Sequence, residues 1–105
     1  MTFAEYQILA LRTCKTDLSE RSIFTNCALG LAGESGEVAD LVKKYLYPSK
    51  PGDGKDTRER LIDELGDVLW YVAVLGIALN IDLADIAAQN IAKLAARHNI
   101  TETAK

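Results

Sequence analysis

The longest apolar run of the chain, Val68 to Leu79, has twelve residues, and it limits what the remainder can fold into. A bilayer-spanning helix needs about twenty residues, so this run is too short to be one. It is rich in branched side chains. Yet it continues without punctuation from Asp63-Glu64-Leu65-Gly66-Asp67, whose acids recur at helical spacing. The prediction is a helix that is apolar nearly all round over its last three turns, and such a helix must be covered on every side. Three other helices from a chain of 105 residues are too few to cover it completely. A homo-oligomer is therefore expected, either a symmetric homodimer or a homotetramer built as a dimer of dimers. The alternative is a monomer that wraps this helix well.

The rest of the chain reads as three more helices. Thr2-x-x-Glu5 has the form of a capping box, and Phe3, Tyr6, Ala10 and Cys14 follow at helical spacing with Gln7 on the same stripe. Lys15 to Ser22 is polar and reads as a loop. A second helix is predicted from about Asn26 to Tyr45, ended by Pro48. Pro48 to Lys55, with two prolines and two glycines, is the clear flexible segment. Asp56-x-x-Glu59 reads as the start signal of the long third helix, which runs to about Leu79. Asn80-Ile81-Asp82 breaks it, and Asp82 is placed to cap a fourth helix reaching Arg97 or His98. No alternating stretch between hairpin turns supports strands. The expected fold is all-α, a four-helix bundle forming one domain over residues 1–105.

Charge and cysteine usage exclude several classes. The formal net charge is −3, which leaves no basic excess for stable nucleic-acid binding. Arg58 and Arg60 are too few to make a basic patch. Cys14 and Cys27 have neither metal-ligand spacing nor companions and read as reduced thiols. Met1-Thr2-Phe3-Ala4-Glu5 shows no signal-peptide pattern. These features predict a cytoplasmic protein without membrane association.

The chemistry lies in two carboxylate pairs, Glu34-x-x-Glu37 and Glu64-x-x-Asp67. Residues three apart share a helix face, with Cβ atoms about 5–6 Å from each other. Each pair can aim its oxygens at one point. Both pairs sit within otherwise apolar stretches, where an ionised carboxylate is costly unless a cation compensates it. Four such groups without histidine or thiolate describe a hard-metal site, and Mg²⁺ is the expected ion, with Mn²⁺ able to replace it. A di-iron bundle is discarded, because its template needs Glu-x-x-His pairs and the one histidine, His98, follows Ala95 by three.

Around this core the residues leave choices open. Lys44 falls on the face of Glu37, two turns on, either to touch what the acids bind or to sit solvated at the helix end. Tyr71 shares the face of Glu64 and Asp67, to stack on a base or ribose or to pack in the core. Trp70 and Asp63 diverge from that face. Gly30, Gly33 and Gly36 each cost their helix about 1 kcal/mol relative to alanine. Close approach of another helix, or room for a ligand, would justify them. Asn90, Lys93 and Arg97 follow one another on or beside the apolar stripe of the fourth helix. They are good donors for phosphate oxygens, or else a core asparagine with two solvated cations.

These motifs, Gly30–Lys44, Glu64–Tyr71 and the segment Asn90-Ile91-Ala92-Lys93-Leu94-Ala95-Ala96-Arg97, resemble those of the MazG-type all-α nucleoside triphosphate pyrophosphohydrolases. The family's metal motif is E-x-x-E followed after a spacer by E-x-x-D. Here twenty-six residues separate Glu37 from Glu64, near the long end for that family. Many relatives carry a further glutamate where this chain has Gly33. The resemblance implies hydrolysis of a (d)NTP between its α and β phosphates, with Glu34, Glu37, Glu64 and Asp67 holding Mg²⁺. It also implies phosphate contacts from Lys44, Asn90, Lys93 and Arg97, while Gln7 becomes a candidate base or sugar contact or a core-edge glutamine. The contrasting expectation is a non-catalytic helical module whose acidic face binds a basic partner.

Overall fold

The computed structural model describes residues 1–101; the last four positions of the expected single domain lie outside them. Its helices are α1 (Phe3–Ala10), α2 (Ser22–Leu46), α3 (Thr57–Ala78) and α4 (Leu83–Arg97), with a 3₁₀ turn at Leu11–Thr13 after α1. No strand occurs among the described residues. The fold is all-α, as the absence of alternating stretches predicts.

The helix boundaries show which sequence signals act. Thr2 and Glu5 form the predicted capping box, the Thr2 hydroxyl accepting from the Glu5 amide at 3.1 Å. α2 starts at Ser22, a full turn before the predicted Asn26. The reason is a series of turns that feeds into it: Asp17 caps Ser19, and Ile23 and Phe24 donate to the carbonyls of Glu20 and Arg21. Asn26 lies inside the helix and donates to Thr16 Oγ at 3.0 Å, tying down the preceding loop. Asp56 and Asp82 precede α3 and α4 as predicted, but neither side chain caps its helix. Asp56 adopts a left-handed conformation at φ 53°. At α4 the role passes to Gln7, whose Oε1 accepts from the Leu83 amide at 3.0 Å.

Asparagine ends α3 and α4 in the same way. Asn80 and Asn99 take φ of 58° and 55°, and the amides of Ile81 and Ile100 reach back to the carbonyls of Gly76 and Ala95. This Schellman closure satisfies the last carbonyls of each helix. At Asn80 it turns the chain sharply, so that α3 and α4 differ in direction by 101°.

α2 and α3 form the principal pair and run antiparallel. Partners fall in number on one helix as they rise on the other: Cys27 clusters with Val74 and Gly30 faces Tyr71, while Tyr45 near the end of α2 meets Gly54 of the loop that leads into α3. The core lies toward one end of this pair. Ala10, Ile23, Cys27 and Val74 are buried together, with Tyr6, Leu18, Trp70 and Leu75 packed around them. Gly76 lets the elements close up there: a Cβ would come within 3.2 Å of Ile81 O and 3.3 Å of the Gln7 amide nitrogen, and these neighbours would have to give way by a few tenths of an ångström. The radius of gyration is 16.7 Å, against about 13 Å for a compact domain of this length. Leu29, Ile62, Leu65 and Leu79 are all more than half exposed. No single described helix is long and apolar enough to cross a membrane.

Candidate active site

Where the middle of α2 crosses the first half of α3, the structure brings Glu34, Glu64 and Asp67 together, each offering an oxygen within 4.8 Å of the others. Helical spacing puts Glu64 and Asp67 on one face of α3, and the antiparallel crossing points that face at Glu34. Glu37, one turn further along α2, stays exposed and outside the close group. Its charge still reaches Glu64. The three acids repel one another, and the Glu64 carboxyl is pushed up to about 7. Its contact with the Glu34 carboxyl is the leading cause, followed by burial and the charges of Glu34, Asp67 and Glu37. Asp67 is also raised, first by burial and then by the charges of Glu34 and Asp63.

Glu64 as a residue is half-buried, yet its Oε2 is shut off from water and has no hydrogen-bond partner among the described residues. Two ionised carboxylates have no proton to share, so the Glu34–Glu64 contact becomes a hydrogen bond only when one of them is protonated. A cation would relieve the same strain. The donor set is all oxygen and all acidic, which suits a hard divalent ion rather than a soft one.

The cavity beside this cluster has a volume of about 320 Å³ and is lined by Thr13, Glu34, Asp67, Trp70 and Tyr71. Trp70 is fixed by its indole N–H, which donates to Thr13 Oγ at 2.9 Å and lies 3.1 Å from Ala10 O. Tyr71 meets it edge to face, with ring centroids 5.0 Å apart. The tyrosine occupies the space left by Gly30, where a Cβ would overlap the phenol ring. Nothing lies within 4 Å of a Cβ built on Gly33 or Gly36. Of the three repeated glycines, only Gly30 answers to close packing within the chain. Tyr6 feels Asp67 as well, its phenol raised by burial and by that acid's charge.

A family model described as the MazG nucleotide pyrophosphohydrolase domain matches residues 24–101. The chain belongs to this family. Gene 37 protein of Mycobacterium phage L5 is 42% identical over 69 residues, a match covering 66% of this chain and 60% of that protein. The chain thus spans less than two thirds of that relative's length. No solved structure matches.

Within the MazG domain the other candidates are dispersed. Lys44 binds Asp40 at 2.7 Å, which raises the lysine and lowers the acid. Gln7 does not face the cluster: its amide is buried between three helices, donating to Ala73 O at 3.2 Å and accepting from Leu83 N. The core-edge role is the one the structure gives it, because the start of α4 lacks a side-chain cap of its own. Asn90 and Lys93 are exposed on α4 and line a separate cavity with Ile86 and Gln89. Arg97, one turn on, is exposed too. None of the three lines the cavity at the acids.

The sequence reading missed Thr13 and set Trp70 aside as diverging from the acidic face, for the core or an interface. A signal was available for Trp70. Trp70 follows Asp67 by three residues and Tyr71 follows the same acid by four, so the two rings flank that acid on neighbouring ridges. Thr13 had none, since only the fold of the 3₁₀ turn onto α3 brings it there.

Proposed function

We propose that this chain hydrolyses (deoxy)nucleoside triphosphates between the α and β phosphates, releasing the nucleoside monophosphate and pyrophosphate, in nucleotide-pool control or house-cleaning. The observation that carries this reading is the convergence of Glu34, Glu64 and Asp67 around an unsatisfied buried oxygen, in a chain of the MazG nucleotide pyrophosphohydrolase domain family. These three acids, with Glu37 beside them, would hold Mg²⁺ or, in its place, Mn²⁺. When bound, the ion offsets the phosphate charge, polarises the α-phosphorus and acidifies water.

The protein's own share is positioning and proton transfer. Trp70 and Tyr71 give the cavity an aromatic wall suited to a base or ribose. One of the carboxylates, Glu37 or Glu34, takes the proton of the attacking water as general base. The water oxygen bonds to the α-phosphorus, the bond to the bridging oxygen breaks, and pyrophosphate departs with the electron pair. No covalent nucleophile is needed.

We place the protein in the cytoplasm as a homodimer or homotetramer. The exposed Ile62 and Leu65 beside the acids, and the extended shape of the single chain, support assembly. Asn90, Lys93 and Arg97 line or neighbour a cavity apart from the acids, so their role as phosphate contacts rests on a second copy of the chain.

The test is turnover of a panel of canonical and modified (d)NTPs with Mg²⁺ in ¹⁸O-labelled water. The expected products are pyrophosphate and monophosphate, with the label in the monophosphate. Diphosphate plus inorganic phosphate would contradict α–β cleavage. No turnover on any substrate would favour the acidic face as a docking surface for a basic partner.

A further inference from the structure

The turn between α2 and α3 closes around a second cavity, of about 230 Å³, whose charged lining is opposite in sign to that of the acidic cluster. Lys44, Lys50, Lys55 and Arg60 line it, against one acid, Asp53. Asp53 is already committed. Its Oδ2 accepts from the Ser49 amide at 2.9 Å, the Ser49 hydroxyl at 3.2 Å and the Lys50 amide at 3.2 Å. Lys44 is held by Asp40. No ion pair among the described residues engages Lys50, Lys55 or Arg60. Four cations thus line one small cavity against the single carboxylate of Asp53, an excess of positive charge in a chain whose formal net charge is −3.

The backbone favours the same ligand. Gly52 and Gly54 take φ of 91° and 81°, letting the loop fold back on α2, where a Cβ on Gly54 would come within 3.3 Å of Tyr45 Cα. α3 begins at this cavity with Thr57. With no side-chain cap on that helix, the positive end of its dipole adds to the attraction for an anion.

Position connects this cavity to the acids. Arg60 precedes Glu64 by one turn of α3, about 6 Å along the axis. On α2, Glu37 lies between Glu34 and Lys44, close enough for its charge to be felt both by Glu64 and by Lys44. Acids and cations thus succeed one another along the α2–α3 pair.

We propose that the cavity at the α2–α3 turn receives the terminal phosphates of the substrate, with Lys50, Lys55 and Arg60 as their ligands, while the α-phosphate lies at the acids. This rests on the triphosphate hydrolysis proposed above. It assigns the loop a task in substrate choice: it selects triphosphates over diphosphates and holds the pyrophosphate that leaves. Arg60 can grip two phosphate oxygens at once, and the lysines act as point charges.

Inorganic tripolyphosphate, added without divalent metal, separates this site from the acids, which repel it. Calorimetry and amide chemical shifts on the full chain should show binding, with the shifts centred on Gly52, Gly54 and Thr57. Lys50→Ala/Lys55→Ala should weaken it about tenfold or more, Lys50→Arg/Lys55→Arg should restore it, and Glu64→Gln, which removes a repelling charge, should not weaken it. Both lysines are exposed, so the variants should keep the helical circular-dichroism signal. Unchanged affinity in the alanine variant, shifts centred on Asn90 and Lys93, or no binding by the wild type would each overturn the proposal. In parallel, the double alanine variant should lose about tenfold or more in kcat/KM for a triphosphate and clearly less for the matching diphosphate, which places one phosphate there instead of two. Equal losses would overturn the assignment to the terminal phosphates. Failure of the hydrolysis reading would instead appear as tripolyphosphate binding by a chain that turns over no nucleotide, which removes the substrate role as well.

Discussion

The two halves of α3 are made of one continuous helix, yet they live in opposite surroundings. From Val68 onward the helix is half-buried or better at every residue, with Ala73 and Val74 fully buried and Gly76 pressed against Ile81 and Gln7. From Thr57 to Asp67 it is covered on one side by α2 and otherwise open, with Ile62 and Leu65 exposed and two acids turned toward a third. The apolar half supplies the stability. The acidic half draws on it, since three like charges at close range oppose folding until a cation joins them. The difference shows how a small domain carries a polar site: the strain is placed one turn from a rigid core that over-determines the helix.

Substitutions on the two sides should therefore act with opposite sign. The largest stability loss is expected in the core packed on the apolar half: Ile23→Ala on α2, at a side chain 2% exposed and clustered with Val74, should cost about 2–5 kcal/mol in denaturant unfolding. At the border between the halves, Gly30→Ala must displace the Tyr71 ring and should cost about 1–3 kcal/mol. Gly33→Ala and Gly36→Ala meet nothing and should instead stabilise by about 1 kcal/mol or less each. A loss at either would show that an assembled partner fills that space.

The smallest effect is the pH dependence of the metal-free protein. Glu64 holds its proton more tightly folded, at about 7, than at its ordinary value of 4.5. The native state therefore binds more protons than the unfolded one between those values, and stability falls as pH rises through this window. Thermal unfolding without metal should show a higher Tm near pH 5 than near pH 8, with saturating Mg²⁺ reducing the gap. Glu64→Gln should flatten the profile.

Much of this arrangement was legible in the sequence because it depends on local spacing. A spacing of three puts each carboxylate pair on one face, and Asn80 marked the end of α3. What escaped depends on how the helices lie against one another. Glu34 alone of its pair meets both α3 acids, because the axial stagger of α2 on α3 decides which turn faces which, and no local signal encodes it. Gln7 lay on the predicted stripe, but its role follows from α4 starting beneath it without its own cap. Likewise, Asn90, Lys93 and Arg97 share a helix segment that local patterning identified. The Schellman turn at Asn80 then directs that segment away from the acids.

The central claim is that Glu34, Glu64 and Asp67 form one catalytic metal site across two helices. It is tested most directly by titrating Mn²⁺ into the wild type and Glu64→Gln, following bound metal by electron paramagnetic resonance and hydrolysis in the same samples. Metal affinity should fall by about tenfold or more and turnover by about a hundredfold in the variant, with its fold and assembly unchanged. Wild-type metal affinity together with wild-type hydrolysis in Glu64→Gln would contradict the account.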